Sequence, residues 1–350
     1  MTKQVEFLEL MERAETQRSA RRNFIRACGG VAAMAGSLSL LSACDDDDDN
    51  DNNTGGVTPT PTPTPTGTTA VTDADVLNFA LQLEYLEGNY YTYSVTGAGI
   101  PTSLQTGTGV QGTVITGSGP GAARAVAFSD TVVQQYAREI AADEIAHITF
   151  LRSQLGAAAS AQPSINLSGS AAVTTTQGLT VPGAFTAAAR AAGVIGPNDI
   201  FDPFANDENF LIGSYLLTDV GVSAYRGSAR LITNKVFLEA SAGILATECY
   251  HDGVIRSELW RRGLTVPSIY TRITAISNSR DALDGPSDTD QDIGNATTAN
   301  FVPTNAGGLV LGRTPGQVLN VVYQSSLSGQ SAGGFFPNGV NGTIRATPLN

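Results

Sequence analysis

Beyond residue 72 the chain alternates long stretches of helical periodicity with stretches that have none. Over residues 73–94, Val76, Phe79, Ala80, Leu83 and Leu86 recur at the spacing of one helical face, with Asp at the start where a helix favours acids. Residues 128–155 repeat the pattern through Val132, Tyr136, Ile140 and Phe150, and Gly156 ends it. Residues 209–233 and 236–262 add two more helices in close succession, with Gly263 after the last and Pro267 blocking its continuation. The intervening residues 157–208 hold one short helical piece, 185–192, among Ser, Gly and Pro, while 96–121 reads as a long loop or small hairpin. Four long amphipathic helices with a long connection between the second and third predict an all-α four-helix bundle with one crossover, spanning residues 73–268.

From about residue 269 the pattern gives way to Gly, Asn, Thr and Pro. One short helix is expected at 313–319 and an aromatic-bearing loop at 333–339. With too few apolar residues for a core of its own, this loop-rich C-terminal extension, 269–350, is expected to pack on the bundle.

The first seventy-two residues do not read as a domain. Ser19-Ala20-Arg21-Arg22-Asn23-Phe24-Ile25-Arg26 resembles a twin-arginine export signal, and the mildly apolar run after it is too short and Gly/Ser-rich to span a bilayer. The run ends in Leu41-Ser42-Ala43-Cys44, which resembles a bacterial lipobox, in which cleavage precedes a cysteine that is then lipidated. Residues 1–43 are therefore expected to be a signal peptide and Cys44 the lipidation site. The Asp-rich run and Thr-Pro repeat of 44–72 read as a disordered, extended tether. This arrangement predicts twin-arginine export and an envelope or periplasmic lipoprotein whose membrane partner is met through its lipid.

Charge narrows the partners further. The net charge is −12, and no basic stripe exists outside the leader, which argues against nucleic acid. Removing 1–43, with its six basic and four acidic residues, leaves the rest still more acidic, so attachment to anionic lipid would fall to the acyl chains. Three cysteines form no disulfide framework, and Cys249 reads as a small buried hydrophobe.

Both histidines of the chain fall in the same motif: Glu144-Ile145-Ala146-His147 in the second helix and Glu248-Cys249-Tyr250-His251 in the fourth. Three residues apart on a helix, carboxylate and imidazole share a face, and together they suit iron or manganese. The match extends to Arg152-Ser153-x-Leu155 and Arg256-Ser257-x-Leu259, as an internal duplication of helix pairs would leave it. It predicts a pseudo-twofold bundle with the paired motifs facing one another. A competing reading makes both histidines core residues hydrogen-bonded to their glutamates.

The bundle template also asks for a carboxylate from the first and third helices. In the first, Glu84 is favoured because tyrosines follow it at six and seven positions; Glu87, on nearly the same face, is a supporting group or a substitute. In the third, Asp219 is the only central acid and is one methylene shorter than Glu, while Glu208 sits at the helix start, where it suits the helix N-terminus. The metal set expected is Glu84, Glu144, His147, Glu248, His251 and Asp219 around two iron or manganese ions.

These residues, with Leu83-Glu84-Tyr85-Leu86-Glu87, Asp143-Glu144-Ile145-Ala146-His147 and Val220-Gly221-Val222-Ser223-Ala224-Tyr225-Arg226-Gly227, resemble the bacterial and plant ferritin-like proteins related to desiccation-associated proteins. Arg313-Thr314-Pro315 and Gly334-Phe335-Phe336-Pro337-Asn338-Gly339 extend the resemblance through the tail. It implies a ferritin-like fold, with Thr218 standing where the family often has an acid. Two functions follow as expectations: a dinuclear iron or manganese protein acting on a small oxidant, oxygen or peroxide, in envelope stress protection, or a metal-free structural or binding protein on the same scaffold. A homo-oligomer is compatible with either. A hollow storage cage is disfavoured, because tether, lipid and tail crowd the surfaces that assembly would use.

Overall fold

The computed structural model describes residues 71–287 and 289–348; the expected signal peptide, the lipidation site Cys44 and nearly all of the tether lie outside them. Four helices form the bundle: α1 (Asp73–Thr96), α2 (Thr131–Leu155), α4 (Asp207–Ser228) and α5 (Lys235–Gly263). The crossover between α2 and α4 carries the short helix α3 (Ala184–Ala191). α1 packs chiefly on α2 and α4 chiefly on α5, so the bundle is built of two helix pairs.

Local chemistry sets the helix ends. Thr72 and Asp75 form a reciprocal capping box at the start of α1, and Gly97 in the left-handed region ends it. Asp130, Asn206 and Asn234 cap α2, α4 and α5 through their side-chain oxygens. The buried stripe of α2 differs from the expected one. Val132 and Phe150 are exposed, and Val133, Ala137, Ile140, Ile148 and Leu151 face inward with Glu144. The small Ala137 and Ala141 belong to this stripe, and their size lets α2 lie close to its neighbours.

The segment 96–121 is not a hairpin. Its strand β1 (Val114–Ile115) pairs in parallel with β2 (Ile165–Asn166) of the crossover. After α5 comes α6 (Ser268–Asp284), a helix where composition had suggested loop, and later α7 (Pro315–Tyr323), opened by a Thr314–Gln317 capping box. Ile269, Ile273 and Ile276 give α6 its buried face. Phe335 and Phe336 of the final loop are buried as well.

Buried ion pairs lace this extension to α4. Arg280 Nη2 lies 2.5 Å from Asp219 Oδ2 and 2.8 Å from Asp290 Oδ1. Arg313 in turn reaches Asp290 at 2.7 Å and Asp284 at 2.6 Å. No helix among the described residues is long and apolar enough to cross a membrane.

Candidate metal centre

Three helices aim ligand-bearing side chains at one point. α1 contributes Glu84 and Glu87, three residues apart on one face; α2 contributes Glu144 and His147, and α5 contributes Glu248 and His251. All six are buried. Gly88 permits the close approach of α1 to α2: a Cβ there would stand 2.8 Å from Ile148 Cδ1 and 3.7 Å from Glu144 Cβ.

Ligand-type atoms of Glu84, Glu144, His147 and Glu248 all lie within 4.8 Å of one another. His147 Nδ1 is 3.3 Å from Glu84 Oε2, 3.3 Å from Glu248 Oε1 and 3.7 Å from Glu144 Oε2. His251 Nδ1 is 3.2 Å from Glu144 Oε1 and 3.9 Å from Glu248 Oε2. Glu144 and Glu248 thus each turn one oxygen toward each imidazole, and the ring centroids are 6.1 Å apart. The paired motifs do face one another.

The donor atoms fit metal better than they fit one another. Glu84 Oε2, Glu87 Oε2, both carboxylate oxygens of Glu144 and Glu248, and Nδ1 of both histidines are buried without a hydrogen-bond partner. Native interiors carry only a few such atoms per hundred residues, and here they crowd one locus. Divalent ions would supply the missing partners, and four carboxylates would neutralise two dications. An oxygen-rich set with two imidazoles suits iron or manganese.

Surrounding groups orient this set. The Tyr225 hydroxyl on α4 donates to Glu84 Oε1 at 2.5 Å. His251 Nε2 stands 3.3 Å from Asp143 Oδ2, the carboxylate–imidazole arrangement that fixes a ligating ring. Without a metal, burial and the neighbouring Glu248 and Glu84 carboxylates push Glu144 up to about 7. Burial would lower His251, yet Asp143, Glu144 and Glu248 outweigh it and push the imidazole up to about 10. Burial followed by the charges of Glu248, Glu144 and Glu84 drives Glu87 well above the ordinary carboxylate range. Burial also raises Glu84, but the His147 charge and hydrogen bonds bring it below its usual value.

The third helix corrects the expected ligand set. Asp219 does not join the cluster: both of its oxygens lie 3.0 Å from Arg256 Nη1, and Arg280 holds Oδ2. A carboxylate clamped by two buried guanidinium groups is committed to them. Thr218 donates to the Ser214 carbonyl and offers no carboxylate. Instead α4 presents Gly221. A Cβ at that position would sit 2.6 Å from Glu87 Oε1 and 3.2 Å from Glu248 Oε2, so the glycine leaves the room into which Glu87 extends. Glu87, expected as a supporting group or a stand-in for Glu84, extends into the space that Gly221 leaves. Asp143 was not singled out from sequence, although its place immediately before Glu144 was visible.

Comparison with known proteins agrees with this architecture. The ferritin-like domain family matches residues 72–260. A protein named ferritin-like catalase Nec2 from Nesocodon mauritianus is 27% identical over 286 residues, covering 78% of this chain and 84% of that one. Desiccation-related protein PCC13-62 from Craterostigma plantagineum is 26% identical over 219 residues, 59% of this chain and 62% of the relative. No solved structure matches the chain at a significant level. With more than half of its residues matched and two Glu-x-x-His helices facing across a four-helix bundle, the chain belongs to the ferritin-like domain family.

Proposed function

We propose that this chain is an exported, lipid-anchored ferritin-like protein that holds two iron or manganese ions and uses them on peroxide or dioxygen, protecting the cell envelope from oxidative or desiccation stress. One observation carries the reading: eight ligand-type atoms on six buried side chains, none with a hydrogen-bond partner, at the crossing of the duplicated motifs. Glu84, Glu144, His147 and Glu248 would hold one ion, and Glu144, Glu248, His251 and Glu87 the other. Such a pair supplies two-electron redox chemistry at a carboxylate-rich site.

The chain's own groups have definable parts. Tyr225 holds Glu84 by one oxygen, leaving Oε2 toward the site. Asp143 orients His251 through its far nitrogen. The first relative's catalase name supports peroxide as the oxidant, and the second's supports stress protection. Twin-arginine export suits a site that is filled before the folded protein crosses the membrane.

The test is elemental analysis of protein purified from its own host and after anaerobic reconstitution, beside Glu144→Ala. About two iron or manganese ions per chain, lost in Glu144→Ala, with peroxide consumption that follows metal content, is the expected result. A chain that holds no transition metal and takes none up would instead be a metal-free binding scaffold. The loss of a third-helix carboxylate at Thr218 and the diversion of Asp219 into ion pairs favour that second reading. Anchoring is checked by fractionation: Cys44→Ala should move the protein from the membrane to the soluble envelope fraction.

A further inference from the structure

An apolar chamber of about 250 Å³ adjoins the metal centre. Leu83, Leu86 and Val220 form its inner wall from the bundle, and Glu87 and Gly221, where α1 meets α4 beside Glu248, also line it. Its outer wall comes from elements that a bare bundle lacks: Ala188 and Ala191 of α3, Ile276 and Leu283 of α6, and Val322 and Phe335 of the extension. Ala191 and Ala282 line the chamber and are exposed, so it opens between α3 and α6.

Three features mark it as built for an occupant. Alanines at 188, 191 and 192 keep α3 thin where larger side chains would close the space. Gln324 is the one non-glycine residue with positive φ among the described residues. From that conformation its amide donates to the Ala184 carbonyl, tying the end of α7 to α3 across the chamber wall. The left-handed conformation is the C-cap of α7, where the Gln324 N–H also closes onto the Asn320 and Val321 carbonyls. Finally, Arg280 lines the chamber without bringing it a free charge: its Nη atoms are taken by Asp219, Asp290 and the Tyr215 carbonyl, and its Nε is buried.

We propose that this chamber holds an uncharged, apolar organic molecule, placed against the Glu87 edge of the metal centre. The inference rests on the dinuclear reading above and names the class of molecule that meets it. The walls are wrong for peroxide, which would give up its hydrogen bonds to water and find few replacements. They are also far larger than dioxygen requires. An apolar cavity of about 150 Å³ accepts benzene, so this one has room for a bicyclic aromatic or a chain of about ten carbons.

The probe is 6-fluoro-2-naphthol, followed by fluorine NMR on the full mature chain loaded with Mn²⁺ or with diamagnetic Zn²⁺. One saturable site is expected, with a fluorine line many times broader in the Mn²⁺ form. Ala188→Trp should weaken binding at least tenfold while metal content and melting temperature hold. Leu283→Trp, nearer the mouth, serves where Ala188→Trp does not fold. Absence of saturable binding, folded tryptophan variants that bind as the parent does, or equal linewidths in chains shown to carry Mn²⁺ and Zn²⁺ would overturn the proposal. A chain that takes up no metal but binds the probe in a tryptophan-sensitive way supports the chamber while sinking the dinuclear reading.

Discussion

Asp219→Ala separates a ligand from an ion-pair anchor. The carboxylate is 7% exposed and is shared by Arg256 and Arg280, which are 0% and 2% exposed. Removing one partner of a buried pair costs about 3–5 kcal/mol, because a charge is stranded. Two features place this case near the lower end. Arg280 keeps Asp290, and Arg256 keeps the carbonyls of Gln291, Asp292 and Asn300. The buried Asp252 carboxyl, driven well above its usual range by burial and then by Asp219, is also relieved when Asp219 goes. At an unfolding entropy of about 2.1 cal/mol/K per residue, a loss of about 3 kcal/mol lowers the melting temperature of a domain this size by about 5 °C. The assay is calorimetry paired with elemental analysis. The melt should fall by that amount while metal content stays at the parental value. A variant that loses metal as Glu144→Ala does, or melts within about 1 °C of the parent, would refute the assignment of Asp219 to the ion-pair network.

Other consequences are more direct. Burial raises the Asp219 carboxyl, but Arg256 and Arg280 pull it below its ordinary 3.8; its stabilisation is therefore complete above 3.8 and is lost as pH falls through the folded value. In acid titrations of stability, Asp219→Asn should remove that component of the slope below pH 3.8. Tyr225→Phe deletes the hydrogen bond that orients Glu84, and chelator competition should show metal affinity down by about 10–100-fold, the usual cost of losing such a support. Gly221→Ala places a Cβ 2.6 Å from Glu87 Oε1 and should displace that carboxylate; elemental analysis is expected to find about one ion per chain instead of two, and an unchanged count would show that Glu87 is not a ligand.

The helices were legible because each carries a long apolar stripe, and the two Glu-x-x-His motifs because local spacing on a helix determines a shared face. What was not legible depends on encounters between distant segments. Asp219 is the only central acid of α4, but Arg256 on α5 and Arg280 on α6 arrive from elsewhere in the chain and claim it. α6 was obscured because Thr, Ser, Asn and Asp, all modest helix formers, surround Ile269, Ile273 and Ile276. Packing of those isoleucines outweighs the weak propensity. The facing of α2 slipped by one position for a related reason: Val132 and Val133 are equally apolar, and tertiary packing leaves Val132 exposed and buries Val133.

The two helix pairs carry matching residues, and the match shows which positions of α4 lack a carboxylate. Arg152 and Arg256 occupy matching places after their motifs, and each reaches across to the other helix of its pair. Arg152 Nη1 donates to the Tyr85 hydroxyl at 2.6 Å, and Arg256 Nη1 to Asp219 at 3.0 Å. Tyr85 follows Glu84, and Asp219 follows Thr218, so the register equates Glu84 with Thr218 and Glu87 with Gly221. Tyr91 and Tyr225 match in the same register, and only Tyr225 finds the carboxylate of the opposite half, at Glu84. The half that lacks a carboxylate at 218 is the half with a glycine at 221, and into that space Glu87 extends from the other half. With Glu87 as the proposed ligand, the four carboxylates and two imidazoles of the bundle template are present, two of the carboxylates on α1 and none on α4. The same exchange leaves the α4 side of the centre bare of charge where Leu217, Val220 and Gly221 line the apolar chamber. The missing α4 carboxylate and the apolar approach to the centre thus share one place, the face of α4 at Gly221.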